Sequence, residues 1–153
     1  MTIDQTDRRI LDALQKHNQV GMDRLGEMVG LSTSAAQRRV KRLRDTGVIA
    51  ADVSVVEPAA LGRQMTFIVE VTLERESANF FESFKRRMRK APEVQQCYYV
   101  TGEGDFVLII TATDMAEYEA ITSRLFLGDV NVKHYRTSVV MNRVKVSLAL
   151  PVL

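Results

Sequence analysis

A run of basic residues between Ser32 and Thr46 carries the strongest chemical signal in the sequence. Five of its fifteen residues are Lys or Arg and one is Asp, a local charge of +4 in a chain whose total is only +2. Cations along one face of a helix neutralise nucleic-acid phosphates, but a basic run is also a common form of solvated surface. Charge alone does not separate these two interpretations.

Two short helices precede this segment and position it. Asp4 is predicted to cap a first helix that ends near His17, because the apolar residues between them recur at helical spacing. A second helix is predicted over residues 22–29 and ends at Gly30, which suits the left-handed position that follows many helices. The two helices therefore lead directly into the basic segment.

The basic segment itself is predicted to form a third helix. Ser32 suits its N-cap and Gly47 its end. On a 3.6-residue wheel Ala36, Val40 and Leu43 share one face, and most of the basic residues lie on the other. Two helices joined by a short turn containing Gly, with the second one basic on its outer face, are typical of a helix-turn-helix.

A third helix of this kind would lie in the major groove of double-stranded DNA, with its first residues at base edges and its cations at phosphates. The Gln37 amide suits adenine, and the Arg38 guanidinium suits the N7/O6 edge of guanine. Arg39, Lys41 and Arg42 suit either phosphate contact or pairing within the protein. The predicted DNA-binding residues are Ser32, Thr33, Ser34, Gln37, Arg38, Arg39, Lys41 and Arg42.

The residue pattern changes after Gly47. Apolar residues between Val48 and Val56 predict one or two short strands that form a wing, and residues 57–62 read as a linker. The sequence thus predicts three parts. They are a winged helix-turn-helix domain at residues 1–50, a wing strand and linker at 51–62, and a second domain at 63–153.

Strand and helix signals alternate in the second domain in the order βαββαβ. Strands are expected at residues 66–73, 94–101, 106–113 and 130–141, and helices at 78–90 and 115–126. This order predicts a ferredoxin-like antiparallel sheet with both helices on one face, so the whole chain is of the α+β class. Residues 144–150 alternate as an extra edge strand would. The open sheet face is expected to be covered by a second copy of the chain.

The segment that joins the second and third of these strands is a candidate ligand loop. Its glycines alone predict an ordinary hairpin turn. Glycines also let backbone N–H groups approach a carboxylate, while Asp105 or Glu103 can accept from an ammonium group, so the loop suits a small zwitterion. Hydroxyls on the flanking strands are weaker candidates. The predicted site comprises Thr101, Gly102, Glu103, Gly104 and Asp105, with Tyr98, Thr137 and Ser138.

Composition narrows the class of protein further. With one cysteine, Cys97, and two histidines, the sequence predicts neither an internal disulfide nor a metal site, and no cofactor is indicated. Cys97 lies in an apolar stretch and is expected to be a small core residue. No apolar run suggests a membrane span, and no leader pattern opens the chain, so a cytoplasmic protein is expected.

Taken in order, several short motifs resemble the Lrp/AsnC family, also called the feast/famine regulators of bacteria and archaea. The motifs lie in both halves of the chain and keep the family's spacing. They include Val29-Gly30-Leu31-Ser32, Arg39-Val40-Lys41-Arg42-Leu43, Gly47-Val48-Ile49, Pro92-Glu93-Val94, and Cys97 through Gly102 followed by Asp105-Phe106.

This resemblance implies a sequence-specific DNA-binding regulator of transcription that responds to an amino acid or related metabolite. It implies that the effector binds at the loop of residues 101–105, at an interface between dimers, and that the dimers often assemble into octamers. Siroheme decarboxylases resemble the same family and are the alternative, although they need a histidine-lined pocket and this chain has only His17 and His134.

The chain departs from the family pattern at two places. Gly26 stands where a helical Ala is usual, and Gly inside a helix costs about 1 kcal/mol relative to Ala, so a less stable second helix is expected. Ala50, Ala51 and Asp52 stand where the wing commonly has a Gly-Tyr pair, so the DNA contact of the wing is left open.

Overall fold

The computed structural model describes residues 2–74 and 78–153, which form two compact units. The first unit contains the residues up to Val55 together with Lys145–Leu153, and the second contains Val56–Val144. The predicted boundary near residue 62 therefore lies seven residues later than the division in the structure (62 against 55). The larger difference is the C-terminal segment, which was expected in the second domain and belongs to the first unit.

Three helices build the first unit: α1 (Gln5–Lys16), α2 (Met22–Val29) and α3 (Thr33–Asp45). Their caps agree with the sequence prediction. Asp4 accepts a hydrogen bond from the Asp7 backbone N–H at the start of α1, and Ser32 accepts one from Ala35 at the start of α3. Gly30 ends α2 in the left-handed conformation, with φ of 73°. The apolar faces of the three helices share one core, which includes Ile10, Leu14, Leu25, Val29, Val40 and Leu43.

Gly26 is needed for the turn between α2 and α3. The residue is buried, and a Cβ atom there would lie 2.6 Å from the Leu31 carbonyl oxygen. The Leu31 backbone N–H also donates to the Gly26 carbonyl oxygen at 2.8 Å. The chain after α2 thus passes directly over this position. Helix propensity alone misses this steric constraint, so the expectation that Gly26 weakens the unit was incomplete.

The predicted wing strands are absent from residues 48–56, all of which the structure describes. Val53 and Val55 are 65% and 90% exposed, and no neighbouring segment pairs with them. A strand requires a hydrogen-bonded partner, and apolar alternation alone does not supply one. The predicted linker contains a short 3-10 helix, Pro58–Leu61.

The second unit confirms the predicted ferredoxin-like fold. Its elements are β1 (Met65–Leu73), α4 (Ala78–Lys90), β2 (Val94–Tyr99), β3 (Phe106–Ala112), α5 (Met115–Thr122) with a π-helical turn (Ser123–Leu127), and β4 (Val132–Val139). The four strands are antiparallel neighbours in the order β2-β3-β1-β4. The two central strands, β1 and β3, thus lie between the edge strands β2 and β4.

Alternation along the central strands separates a buried face from an open face. Phe67, Val69 and Val71 of β1 are fully buried, together with Phe106 and Leu108 of β3. The core that they form includes Phe84 and Met88 of α4 and Tyr118 and Ile121 of α5. The intervening residues of each strand point to the opposite face of the sheet, where Ile68 and Tyr98 are 42% and 50% exposed. The second unit leaves this open face uncovered.

Residues 144–150 do not form the extra edge strand that their alternation predicts. They make no ladder with the sheet, and Val144 and Leu148 are 89% and 79% exposed. The C-terminal segment instead bonds to α1, where the Arg8 guanidinium donates to the Val152 carbonyl oxygen at 3.0 Å. Alternating apolar residues describe an extended backbone, and they do not determine which element that backbone joins.

Candidate functional sites

The outer face of α3 carries most of the predicted DNA-binding residues. Ala36, Val40 and Leu43 mark the inner side of the helix because they are fully or nearly fully buried. The predicted DNA-binding residues that are exposed are Ser32, Thr33, Ser34, Gln37, Arg38, Lys41 and Arg42. Arg39 is the exception because it is only partly exposed. The start of α3 therefore presents hydroxyl, amide and guanidinium donors to solvent, which are the groups that bind base edges and phosphates.

Arg39 and Arg42 pair with carboxylates of α1. One Arg42 nitrogen lies 2.6 Å from both carboxylate oxygens of Asp7, and Arg39 donates to Asp7 at 2.9 Å and to Asp4 at 2.7 Å. The Arg39 hydrogen bond holds the pKa of Asp4 below its ordinary value of 3.8, and the same pair raises the pKa of Arg39. These contacts favour pairing within the protein, the second of the two roles predicted for Arg39 and Arg42.

The other cations of α3 are more accessible. Lys41 makes an exposed i,i+4 pair with Asp45 at 2.5 Å, and Arg44 pairs with Asp52 at 2.8 Å. Exposed pairs of this kind contribute little to stability and are exchanged easily for other partners. Within the described residues, Arg38 is the exposed cation of α3 that no carboxylate engages. Arg38 and Lys41 are thus exposed cations of this helix that no buried carboxylate of the described residues engages.

The candidate ligand loop lies between β2 and β3 and is bonded to the end of β1. The Asp105 backbone N–H donates to the Val71 carbonyl oxygen at 2.9 Å, and one Asp105 carboxylate oxygen accepts from the Leu73 N–H at 2.7 Å. Thr101, Gly102 and Glu103 are exposed. Asp105 therefore anchors the loop with one oxygen, and its other oxygen accepts no hydrogen bond from the described residues.

Glu70 lies directly beside the loop, a placement that the sequence analysis missed. A Cβ atom on Gly104 would lie 2.9 Å from the Glu70 Cδ, so the loop can approach this side chain as it is placed here because residue 104 is glycine. Glu70 stands opposite Arg136 of β4, and their closest charged atoms are 4.0 Å apart. A carboxylate and a guanidinium side by side match the two charged groups of a zwitterion. The sequence signal for Glu70 was that it is the one charged residue of β1. Its pairing with Arg136 could not be predicted, because that contact depends on the order of the strands.

The structure divides the three remaining predicted residues between the two sheet faces. Tyr98 lies in one cross-strand row with Val107, Glu70 and Arg136 on the open face, so it joins the candidate ligand site. Ser138 shares that face, but it pairs with Ile68, about 7 Å along the strands from the Glu70–Arg136 pair and on the side away from the loop.

Thr137 faces the helices. It shares a hydrogen bond with the Tyr118 hydroxyl of α5, and burial raises the pKa of that hydroxyl. The structure therefore does not bring Thr137 to the loop. Strand alternation makes adjacent residues of β4 point to opposite faces, so Thr137 and Ser138 cannot both line one pocket.

Cys97 and the other residues outside the two candidate sites were expected to carry little chemistry. Cys97 is half-buried beside the core of the second unit, and burial raises the pKa of its thiol. Among the described residues, no three His, Cys, Asp or Glu side chains form a cluster that could hold a metal ion. None of the described helices combines the length and the apolar character that crossing a membrane requires.

A helix-turn-helix unit with an exposed basic helix, joined in one chain to a ferredoxin-like unit, defines a DNA-binding regulator of transcription. The family model of the AsnC-type helix-turn-helix domain matches residues 3–44, and that of the Lrp/AsnC ligand binding domain matches residues 66–150. The chain belongs to the Lrp/AsnC family of transcriptional regulators, whose activity responds to a bound effector.

Relatives match over almost the whole chain. An uncharacterized HTH-type transcriptional regulator of Sinorhizobium fredii is 50% identical over 99% of this chain and 90% of its own length. The leucine-responsive regulatory protein of Escherichia coli is 34% identical over 95% of this chain and 88% of its own. A transcriptional regulator of Neisseria meningitidis, solved in complex with L-methionine, superposes with a TM-score of 0.92 at 31% identity, covering 98% and 97% of the two chains.

Proposed function

We propose that this protein regulates transcription by placing the start of α3 in the major groove of its operator. The exposed row of Ser34, Gln37 and Arg38 carries this proposal, because their side chains can donate to base edges and phosphates. Lys41 adds a phosphate contact that is independent of sequence. Such a protein works in the cytoplasm of a bacterial or archaeal cell, where the DNA lies.

The proposed effector is an amino acid or a related small zwitterion, and it binds beside the loop of residues 101–105. Exposed loop N–H groups and Arg136 would hold the carboxylate, while Glu70 and the second carboxylate oxygen of Asp105 would accept from the ammonium group. Tyr98 would flank the ligand. The L-methionine complex of the Neisseria meningitidis regulator supports this ligand class.

The proposed functional assembly is at least a homodimer that covers the open sheet face up to the row of Tyr98, Glu70 and Arg136, which stays accessible beside the loop. Ile68, Val107, Ile109 and Tyr98 make this face partly apolar, and an exposed apolar surface of a soluble domain is typically an interface. A twofold dimer would also place two α3 helices for the two halves of an operator. Effector binding would act by changing contacts between dimers, including those of an octamer, and hence the spacing of the α3 helices.

Fluorescence anisotropy tests the DNA-binding part of this proposal. The labelled probes are a duplex of the chain's own upstream region and a random-sequence duplex of equal length, titrated over a series of KCl concentrations. We expect tighter binding to the upstream duplex and a logarithmic affinity that falls linearly with the logarithm of salt concentration. Salt-independent binding would contradict the proposal.

Light scattering with and without a panel of amino acids tests the effector part, since it measures assembly directly. We expect one amino acid to shift the mass distribution.

We further propose that the chain has no catalytic role. A Soret absorbance band that persists through gel filtration after incubation with siroheme would favour the enzymatic alternative.

A further inference from the structure

The Asp7 carboxylate lies in the first unit at the start of α1, far from the exposed end of α3 in sequence but in contact with that helix. Asp7 is fully buried, and it is the one buried charged side chain among residues 2–74 and 78–153. Its two oxygens accept from Arg42, from Arg39 and, within the capping box, from the Asp4 backbone N–H at 3.2 Å. A buried carboxylate is stable only when charges and donors surround it, as they do here.

The two arginines that hold Asp7 stand three residues apart on α3. At 100° per residue, Arg39 and Arg42 lie on the flank of the helix, between its buried face and the outward face of Ser34, Arg38 and Lys41. Asp7 therefore binds α3 at two residues that lie less than one turn apart. These two ion pairs oppose rotation of α3 about its own axis, which would turn Gln37 and Arg38 away from a groove.

Pairing also changes what these cations offer to DNA. The side chains of Arg39 and Arg42 are 28% and 42% exposed, whereas that of Lys41 is 75% exposed. Each arginine faces a carboxylate at hydrogen-bond distance, so a phosphate would have to displace a partner that is already charged and desolvated. Charge counting therefore overstates the number of phosphates that α3 can bind.

We propose that Asp7 is a positioning residue for DNA recognition, which holds Arg39 and Arg42 so that they orient α3 and do not bind phosphate. This inference rests on the proposed DNA-binding function. It distinguishes two kinds of cation within one basic run. Arg38 and Lys41 contact DNA, whereas Arg39 and Arg42 set the angle at which the helix is presented.

Salt dependence separates these roles. Log affinity falls with log salt, and removing one cation that binds a phosphate reduces the steepness of this fall by about 0.9. We expect Lys41→Gln to reduce the steepness on a random-sequence duplex by this amount for each α3 helix that contacts the duplex, and Arg39→Gln and Arg42→Gln to leave it unchanged. The proposal would be overturned if Arg42→Gln reduced the steepness of the salt dependence as much as Lys41→Gln.

Asp7→Asn tests positioning directly, with Asp12→Asn as the matched control, because Asp12 is also on α1 and, among the described residues, its one ion pair is with the exposed Lys16. We expect Asp7→Asn to reduce the ratio of upstream to random-sequence affinity by about tenfold, the loss typical of a displaced base contact, and Asp12→Asn to leave it unchanged. If the role of Asp7 were purely structural, Asp7→Asn would lower the melting temperature and leave this affinity ratio unchanged in the folded protein.

The two arginine variants decide the question if Asp7→Asn fails to fold, since both retain the Asp7 carboxylate and one of its cations. Failure of the wild-type protein to bind either duplex would contradict the proposed function itself. Failure of this inference is distinct, because it appears only as a difference among variants of a protein that does bind DNA.

Discussion

Gln15 and Leu150 exchange two hydrogen bonds across 135 residues of sequence. The Gln15 amide nitrogen donates to the Leu150 carbonyl oxygen at 2.9 Å, and the Leu150 N–H donates to the Gln15 side-chain oxygen at 2.6 Å. Residues 145–153 follow the last strand of the ligand-binding domain in sequence, yet they belong to the DNA-binding unit. The chain therefore passes between the two units twice, so two segments link the ligand-binding domain to the DNA-binding unit.

Gln15→Ala tests whether this pairing holds the C-terminal segment. We expect it to lower the free energy of unfolding of the first unit by about 0.5–1.5 kcal/mol, because each exposed hydrogen bond contributes modestly. Urea denaturation followed by circular dichroism measures the change. Gln19→Ala is the control, since Gln19 is also exposed in the same unit. Equal midpoints for the two variants would show that the segment is not held there.

Gly26→Ala should destabilise the first unit, although Ala is the better helix former. Its Cβ would meet the Leu31 carbonyl oxygen at 2.6 Å, and that backbone cannot move without disturbing the turn into α3. We expect a loss of about 1–3 kcal/mol, the usual size of an overpacking effect. Thermal unfolding measures it. A gain of about 1 kcal/mol, as helix propensity alone predicts, would show that the turn adapts.

Elements with strong local signals were predictable from the sequence. All five α-helices and the four strands of the sheet occur in the predicted order, because caps such as Asp4 and Ser32 and apolar periodicity act within a few residues. The wing and the C-terminal segment were predicted wrongly as strands. Alternation there describes an extended chain, whereas a strand also needs a partner that only the tertiary fold supplies.

The residues of the candidate sites also differ in whether a local sequence pattern predicts them. The exposed face of α3 follows from helix periodicity, so Gln37 and Arg38 were found from the sequence alone. Glu70 and Arg136 meet only because β1 and β4 are neighbours, and Asp7 is buried only because α3 packs against α1. Contacts between residues far apart in sequence depend on topology, and no local pattern encodes them.

Arg38→Ala should weaken binding to the upstream duplex more than binding to a random-sequence duplex. If the guanidinium donates twice to guanine, its removal costs about 1–3 kcal/mol of specific affinity. Lys41→Ala is the matched comparison, because removal of a phosphate-binding cation weakens both duplexes alike. Anisotropy titrations at one salt concentration measure both variants. Equal losses of affinity on the two duplexes for Arg38→Ala would assign Arg38 to phosphate.

Acid should weaken the contact between α1 and α3 through Asp4. The Arg39 hydrogen bond lowers the pKa of the Asp4 carboxyl below 3.8 in the folded protein. A group with a lowered folded pKa stabilises the protein above its unfolded pKa, and this contribution disappears as the pH falls through the folded value. The melting temperatures of the wild type and of Asp4→Asn should therefore differ at neutral pH and converge in acid.

Arg39→Gln is the control for this pH dependence, since it removes the largest cause of the lowered Asp4 pKa. Its melting temperature should approach that of the wild type over the same pH range without reaching it, because the substitution also removes the hydrogen bond to Asp7. A constant difference between the wild type and Asp4→Asn at every pH would mean that the Asp4 carboxylate stabilises the fold independently of its charge.

Gly104→Ala should impair the effector response through Glu70. The added Cβ would lie 2.9 Å from the Glu70 Cδ, so either the loop or the Glu70 side chain must shift. We expect a loss of about 1–3 kcal/mol in the stability of the second unit and loss of the assembly change that the effector causes. Urea denaturation and light scattering measure these two effects.

Gly128→Ala is the matched control because no atom lies within 4 Å of its Cβ position and its φ of −81° suits any residue. It should keep both stability and response. Because Gly104 has no side chain, its substitution removes no ligand contact and acts through the added methyl group, the loop backbone or Glu70. A Gly104→Ala protein that responds normally would therefore place the effector away from this loop, whereas loss of the response with intact DNA binding would place it there.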